Sequence, residues 1–135
     1  MSNTLAGSCL CGTVTFSLKN EFKCFYLCHC RQCQKITGSA HVAHLFTQPD
    51  NIQWFSGEEN ITRYDDPKRS FSKVFCAQCG CGLPFVNKSG NALIVPAGVL
   101  DDQPTITPSH NIFWAERAAW YDAALLAKHC VGFPE

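Results

Sequence analysis

The chain has 135 residues, of which 46% are hydrophobic and 16% charged, and its eleven basic side chains balance its eleven acidic ones. This composition is typical of one globular domain over residues 1–135 and excludes an intrinsically disordered chain. Because the chain has no net basic charge, we expect no nucleic-acid partner.

Ten cysteines are many for this length. Such a number is typical either of a secreted disulfide scaffold or of an intracellular metal-binding protein. The first eight residues contain neither a basic start nor the apolar run of a signal peptide, and no later segment is long enough to cross a membrane. We therefore expect a cytoplasmic protein without a membrane partner, whose thiols bind metal.

Three of the cysteines, Cys28, Cys30 and Cys33, lie within six residues. Thiols so close in sequence rarely satisfy the geometry of a disulfide, but they can converge on one tetrahedral metal ion. Three protein ligands leave a coordination position for water or substrate. The segment therefore predicts a reactive zinc site.

Taken in chain order, the remaining sequence predicts mostly short strands. A small-residue turn over 7–12 carries Cys9 and Cys11, and residues 34–39 indicate one helical turn that ends at a glycine. Alternating or β-rich segments predict strands at 13–18, 41–46, 52–55, 61–64, 72–75, 83–86, 92–95 and 110–114, with a polar turn joining the third to the fourth. Helix-favouring composition is confined to residues 120–128. The fold class is therefore all-β, with at most a short C-terminal helix.

A further pair, Cys76 and Cys79, forms a C-x-x-C followed by glycine, as in a zinc knuckle. Joined with Cys9 and Cys11, this pair supplies the four thiolates of a closed structural zinc site and leaves the three-thiol segment as a second, open site. Spacing alone leaves the pairing undecided, because the segment from Cys28 to Cys33 can combine with either pair.

The order of these motifs resembles a known family. The motifs are Cys9-Leu10-Cys11-Gly12, the segment Cys28–Lys35, Gly38-Ser39, Phe75–Gly80, Ala97–Asp101 and a segment that runs from Pro108 through His110 to Trp120. Together they resemble the glutathione-dependent formaldehyde-activating enzymes, a family that includes a centromere protein V-like branch. The likeness extends over nearly the whole chain.

The resemblance implies a zinc-stapled fold, the β-tent, with two zinc ions per chain. It assigns Cys9, Cys11, Cys76 and Cys79 to the structural zinc, and Cys28, Cys30 and Cys33 to the catalytic one. The implied activity is that of a carbon–sulfur lyase similar to S-(hydroxymethyl)glutathione synthase, with a glutathione-like thiol and an aldehyde as small-molecule partners. The alternative is a non-catalytic zinc module that binds a small thiol or a protein partner.

The sequence predicts the roles of the histidines less specifically than those of the cysteines. His29 either protonates the oxygen of the thiol–aldehyde adduct or is a spacer that points to solvent. In a strand, His41 and His44 point to opposite faces, so a structural role is expected for each, with His41 kept as a weak candidate near the site. His110 matches a position of the family but is expected to be structural.

The sequence also suggests roles for several basic, acidic and aromatic residues and for Cys24. Four basic residues either pair with glutathione carboxylates or form a solvated hairpin face: Arg63, Lys68, Arg69 and Lys73. Asp101 is expected to form a turn and Cys24 to be a core thiol, while Cys81 receives no role. Four aromatic residues are expected in the core: Trp54, Phe113, Trp114 and Trp120.

Overall fold

The computed structural model describes residues 3–135; Met1 and Ser2, which open the segment searched for a signal peptide, lie outside them. The described chain consists mainly of short strands, which are β1 (Thr4–Ser8), β2 (Thr15–Lys19), β3 (Cys24–Cys28), β4 (Val42–Thr47), β5 (Gln53–Ser56), β6 (Ile61–Asp65), β7 (Ser72–Cys76), β8 (Phe85–Val86), β9 (Leu93–Pro96) and β10 (His110–Ile112). Its α-helices are α1 (Arg31–Thr37) and α2 (Tyr121–Ala124), and 3₁₀ turns cover Glu58–Asn60, Ala97–Val99 and Trp114–Glu116.

The strands form three sheets. One is antiparallel with the order β1-β2-β5, and another is the ribbon β6-β7. The third has the order β10-β3-β4-β9-β8, in which β10 runs parallel to β3 and the other neighbours are antiparallel. This architecture confirms the predicted all-β class with a short C-terminal helix. No helix within residues 3–135 has the length and apolar character of a membrane span.

All three sheets contribute to one hydrophobic core. Its members include the fully or nearly fully buried side chains of Leu5, Val14, Phe16, Leu18, Leu45, Val74, Leu83, Leu93 and Val95. On β2, the buried Phe16 and Leu18 alternate with half-buried or exposed residues, as the sequence pattern predicts. Burial of these side chains is the main favourable contribution to folding, because each removes apolar surface from water.

Two features of the first half of the chain were not part of the prediction. Strand β1 was not predicted, because Ala6 and Gly7 have little intrinsic strand preference. It forms because it pairs with β2 over five residues, with Leu5 buried and Gly7 lying against the ring of Phe16. The strands predicted at 52–55 and 61–64 do exist; although a turn joins them directly, they pair with β2 and β7 and not with each other, which the sequence pattern left open.

The expectation of four core aromatic residues is correct for Trp54 and wrong for the others. Trp54 packs against the core and lies 5.4 Å from Phe16 between ring centroids. Phe113, Trp114 and Trp120 are exposed by 58%, 39% and 58%. These three follow β10 in a segment that lies on the surface, where composition alone does not distinguish a packed ring from an exposed one.

Gly57, at the turn after β5, provides a stability test. It has a φ of 81°, and a Cβ there would overlap the carbonyl oxygen of Thr13. Gly90 has a φ of 77° but open space around it. We expect Gly90→Ala to cost about 1–2 kcal/mol, the price of a left-handed alanine, and Gly57→Ala to cost at least about 2 kcal/mol more, because backbone must also move. Equal losses in denaturant unfolding of the two variants would contradict this reading of the turn.

Candidate metal centre

The three-thiol group, Cys28, Cys30 and Cys33, lies where a strand turns into a helix. Cys28 ends β3, and the next N–H, that of His29, donates to the carbonyl of Ile112 in β10 at 3.0 Å. Cys30 caps α1, and its sulfur accepts a hydrogen bond from the N–H of Cys33 at 3.3 Å. The strand end, the cap and the first helical turn therefore bring three sulfurs to one point.

The sulfur separations fit a metal ion. Cys30 and Cys33 are 3.1 Å apart between sulfurs, and Cys33 and Cys28 are 3.5 Å apart. A tetrahedral zinc with bonds of about 2.3 Å would hold its thiolates about 3.8 Å apart, so only a small adjustment is needed. Within the described residues, this group comprises three potential ligands and no fourth His, Cys, Asp or Glu.

The four-sulfur group, Cys9, Cys11, Cys76 and Cys79, joins two sheets. Cys9 and Cys11 lie in the turn between β1 and β2, whereas Cys76 ends β7 and Cys79 follows it. The sulfur of Cys11 is 3.6 Å from that of Cys9 and 3.9 Å from that of Cys76. Four sulfurs at these distances can close a tetrahedron and link the β1-β2-β5 sheet to the β6-β7 ribbon. The structure thus resolves the pairing that spacing left open.

In each sulfur group, hydrogen bonds from the protein lower the pKa of one cysteine, even without a metal ion. The hydrogen bond that the Cys33 thiol donates to Cys28 lowers the pKa of Cys28 to about 6 and raises that of Cys33. In the other group, backbone N–H groups of Cys81 and Cys11 lower the pKa of Cys79 to about 6. The thiolate is the form of cysteine that binds metal. The donor chemistry of both groups therefore fits zinc.

A cleft of about 350 Å³ opens onto the three-thiol group, and all three cysteines line it. The apolar part of its wall consists of Phe46, Phe71, Phe85, Ile94, Ile112 and Phe113. Apart from the thiols, the ionisable groups in its lining are His44, Lys88 and Glu116. A concave, largely apolar site with a few polar groups is typical of a small-molecule site.

His44 is the histidine that lies at the cleft, and the sequence did not single it out. Burial, together with the positive charge of Lys73, lowers the pKa of His44 to about 4, so its imidazole is neutral at pH 7. The ring packs edge-on against Phe46 and Phe85. The period-two pattern correctly separates His41 from His44, but identifying the face that meets the cleft requires the neighbouring strands.

His29 and His41 lie in a different environment. His29 is fully buried, so the interpretation of a solvent-pointing spacer is wrong. Its Nε2 is 2.9 Å from the side-chain oxygen of Asn111, and its ring packs within about 5 Å of His41, Trp114 and Tyr121. Neither histidine is part of the cleft lining. Both belong to an aromatic cluster beside the knuckle that holds the C-terminal segment.

Four further candidates do not line the cleft either. His110 is exposed on β10, where its ring meets Tyr26. Cys24 and Cys81 are half-buried and belong to neither sulfur group, and Asp101 is exposed and accepts a hydrogen bond from Ser8.

The four basic residues expected either to pair with glutathione carboxylates or to form a solvated face do not line the cleft. Arg63 pairs with Asp65 and Arg69 with Asp66, and these arginines and Lys68 are exposed, as a solvated face requires. Lys73 is half-buried and lines a small cavity with Cys33 and His44. The lysine of the cleft is Lys88. It lies in a polar loop between β8 and β9, and nothing in the sequence of this loop predicts that Lys88 lines a cleft.

Comparison with known proteins identifies the family. Residues 4–116 match the family of the glutathione-dependent formaldehyde-activating enzyme. The match covers most of the chain and includes both sulfur groups. The chain belongs to this family. The resemblance drawn from the cysteine motifs is therefore confirmed, and the family is associated by name with glutathione and formaldehyde.

This member of the glutathione-dependent formaldehyde-activating enzyme family is similar in fold to a crystal structure of a Rhodobacter sphaeroides protein from Northeast Structural Genomics. The two share 21% sequence identity with a TM-score of 0.59, and the alignment covers 76% of this chain and 91% of that chain. At this identity the likeness concerns the fold alone. No curated protein matches the sequence significantly.

Proposed function

We propose that the protein is a cytoplasmic, zinc-dependent carbon–sulfur lyase that joins a small-molecule thiol to an aldehyde and reverses the same reaction. The observation that carries the proposal is that the three-thiol group lines the cleft and has no fourth His, Cys, Asp or Glu ligand among residues 3–135. Glutathione is the first candidate for the thiol, because the family is named for it.

Two zinc ions per chain are proposed. Cys9, Cys11, Cys76 and Cys79 would hold a structural ion, and Cys28, Cys30 and Cys33 would hold a catalytic one. A zinc ion with three thiolate ligands retains one position, at which it favours the deprotonated form of an arriving thiol. The cleft brings thiol and aldehyde together, which removes much of the entropic cost of a two-reactant step.

The reaction is balanced without a redox partner. The thiolate sulfur attacks the carbonyl carbon and a C–S bond forms, while the π electrons of the C=O bond move to oxygen. The oxygen takes up one proton from solvent, which replaces the proton that the thiol released when it became a thiolate. The product is a hemithioacetal. The neutral imidazole of His44 donates an N–H hydrogen bond to the aldehyde oxygen as its negative charge develops.

The test is the rate of exchange between a glutathione hemithioacetal and free aldehyde, measured by NMR with zinc-loaded protein and with either formaldehyde or benzaldehyde. We expect the rate to rise in proportion to the protein concentration. His44→Phe should lower the protein-dependent rate by about 100-fold, the usual effect of losing one donor to a developing oxyanion. His110→Phe, a matched change on exposed β10, should leave it within about twofold, as expected for a surface position.

Two outcomes separate the parts of the proposal. If the wild-type protein accelerates exchange with neither aldehyde, the lyase proposal is refuted. If exchange is accelerated but His44→Phe behaves like wild type, the reaction stands and the role of His44 does not.

A further inference from the structure

We infer that the substrate of this cleft carries an apolar substituent, either aromatic or branched alkyl, and that Phe113 packs against it. The inference rests on the proposed function, because it takes a thiol or its aldehyde adduct to react at the three-thiol group. It makes the substrate class more specific than glutathione with formaldehyde. The adduct of that pair carries only a hydroxymethyl group in addition to the thiol and has no apolar substituent.

The apolar wall begins at the reacting position. Phe71 and Ile112 pack against the small buried cluster that contains Cys28 and Cys33. Phe46, Phe85 and Ile94 extend the same wall along the cleft. Covering such a surface with an apolar group stabilises a complex, whereas polar groups placed there lose water without gaining partners.

The cleft lining contains few charged groups that could bind a carboxylate. Lys88 donates its ammonium protons to the carbonyls of Asp66 and Arg69 at 2.5 and 2.8 Å, which leaves one of its three protons for a ligand. The carboxylate of Glu116 repels a second anion. Lys88 therefore offers one charged donor for a carboxylate, and most of the remaining cleft wall is apolar.

Phe113 supplies an independent observation. Among the described residues other than glycine, it alone has a positive φ, of 55°. A bulky side chain rarely adopts this conformation. The residue is 58% exposed and lines the cleft, so packing within the described chain covers less than half of it. Strained residues of this kind are often found where a protein clamps a ligand.

The strain at Phe113 is maintained by the segment that carries the thiols. On one side, the carbonyl of Ile112 accepts the N–H of His29 at 3.0 Å. On the other, the carbonyl of Glu116 accepts the side-chain amide of Gln34, in α1, at 2.9 Å. These hydrogen bonds fix the Phe113 backbone relative to the sulfurs. The Phe113 backbone is therefore tied to the segment that carries the thiols, and its side chain lines the same cleft as they do.

The experiment uses cobalt-loaded protein and two thiols of similar acidity, benzyl mercaptan and 2-mercaptoethanol, with the thiolate-to-cobalt absorption as the readout. We expect benzyl mercaptan to bind about 10- to 100-fold more tightly, as burial of one ring predicts. In Phe113→Asn the ratio should fall to within about threefold, and its thermal stability should stay equal or rise, because asparagine tolerates a positive φ. In Phe55→Asn, which removes the ring of a 61% exposed phenylalanine on β5, the ratio should be unchanged.

Each result decides one statement. A wild-type ratio near one, or a ratio unaffected by Phe113→Asn, overturns the inference while leaving the open metal site intact. If cobalt binds at the three-thiol group and neither thiol alters its spectrum, or if cobalt is not taken up there, the proposed function fails and the inference falls with it.

Discussion

Replacement of Cys76 by serine is expected to abolish the folded state. Cys76 is fully buried at the end of β7, and its sulfur belongs to the group that links two sheets. Binding of a structural zinc typically contributes roughly 10–16 kcal/mol to folding, whereas a whole domain has a net stability of about 5–15 kcal/mol. The variant should therefore show no cooperative unfolding transition by circular dichroism at 25 °C.

The matched control for this variant is Cys81→Ser. Cys81 is half-buried and only five residues away, but it lies outside both sulfur groups. It should unfold cooperatively with close to the wild-type free energy. A folded Cys76→Ser protein with an undiminished zinc content would show that the four sulfurs do not hold a metal.

Replacement of Cys30 by serine is expected to remove the reaction and keep the fold. Cys30 caps α1 through its sulfur, and serine is a favoured helix cap, so the local structure should persist. The proposed catalytic zinc, however, would lose one of its three ligands. The lyase rate should fall by more than about 100-fold, because even the loss of a residue that merely supports a metal ligand commonly costs 10- to 100-fold.

Metal content and melting temperature distinguish this result from general damage. Cys30→Ser should contain one zinc fewer per chain and melt within a few degrees of wild type, and Cys24→Ser should match wild type in rate, zinc content and melting. Full activity in Cys30→Ser would contradict the catalytic assignment. A loss of folding would instead assign the three-thiol group a structural role.

The cysteine spacing predicted more of this molecule than any other feature. Residues in a C-x-C or C-x-x-C must lie close together, so Cys28, Cys30 and Cys33 were predictable as one group. The alternation on β2 likewise indicated which residues are buried. Both inferences depend on neighbours within about six residues, where covalent geometry limits the possibilities.

Features set by distant contacts were not predictable in this way. His29 is buried because Trp114 and Tyr121, more than 80 residues later, pack against it. His44 lines a cleft whose wall also includes Phe85 of β8 and Ile112 of β10, and both of these strands lie far from β4 in the sequence. Phe113 has a positive φ, a conformation that is rare for phenylalanine and that its sequence neighbours do not predict.

The most direct test of the central claim is anomalous scattering at the zinc edge from crystals of reduced, zinc-loaded protein soaked with glutathione. We expect two zinc ions per chain, one bound by Cys9, Cys11, Cys76 and Cys79, and one bound by Cys28, Cys30 and Cys33 with the sulfur of glutathione as its fourth ligand. A side chain of the protein in that fourth position, or no zinc at the three-thiol group, would contradict the account.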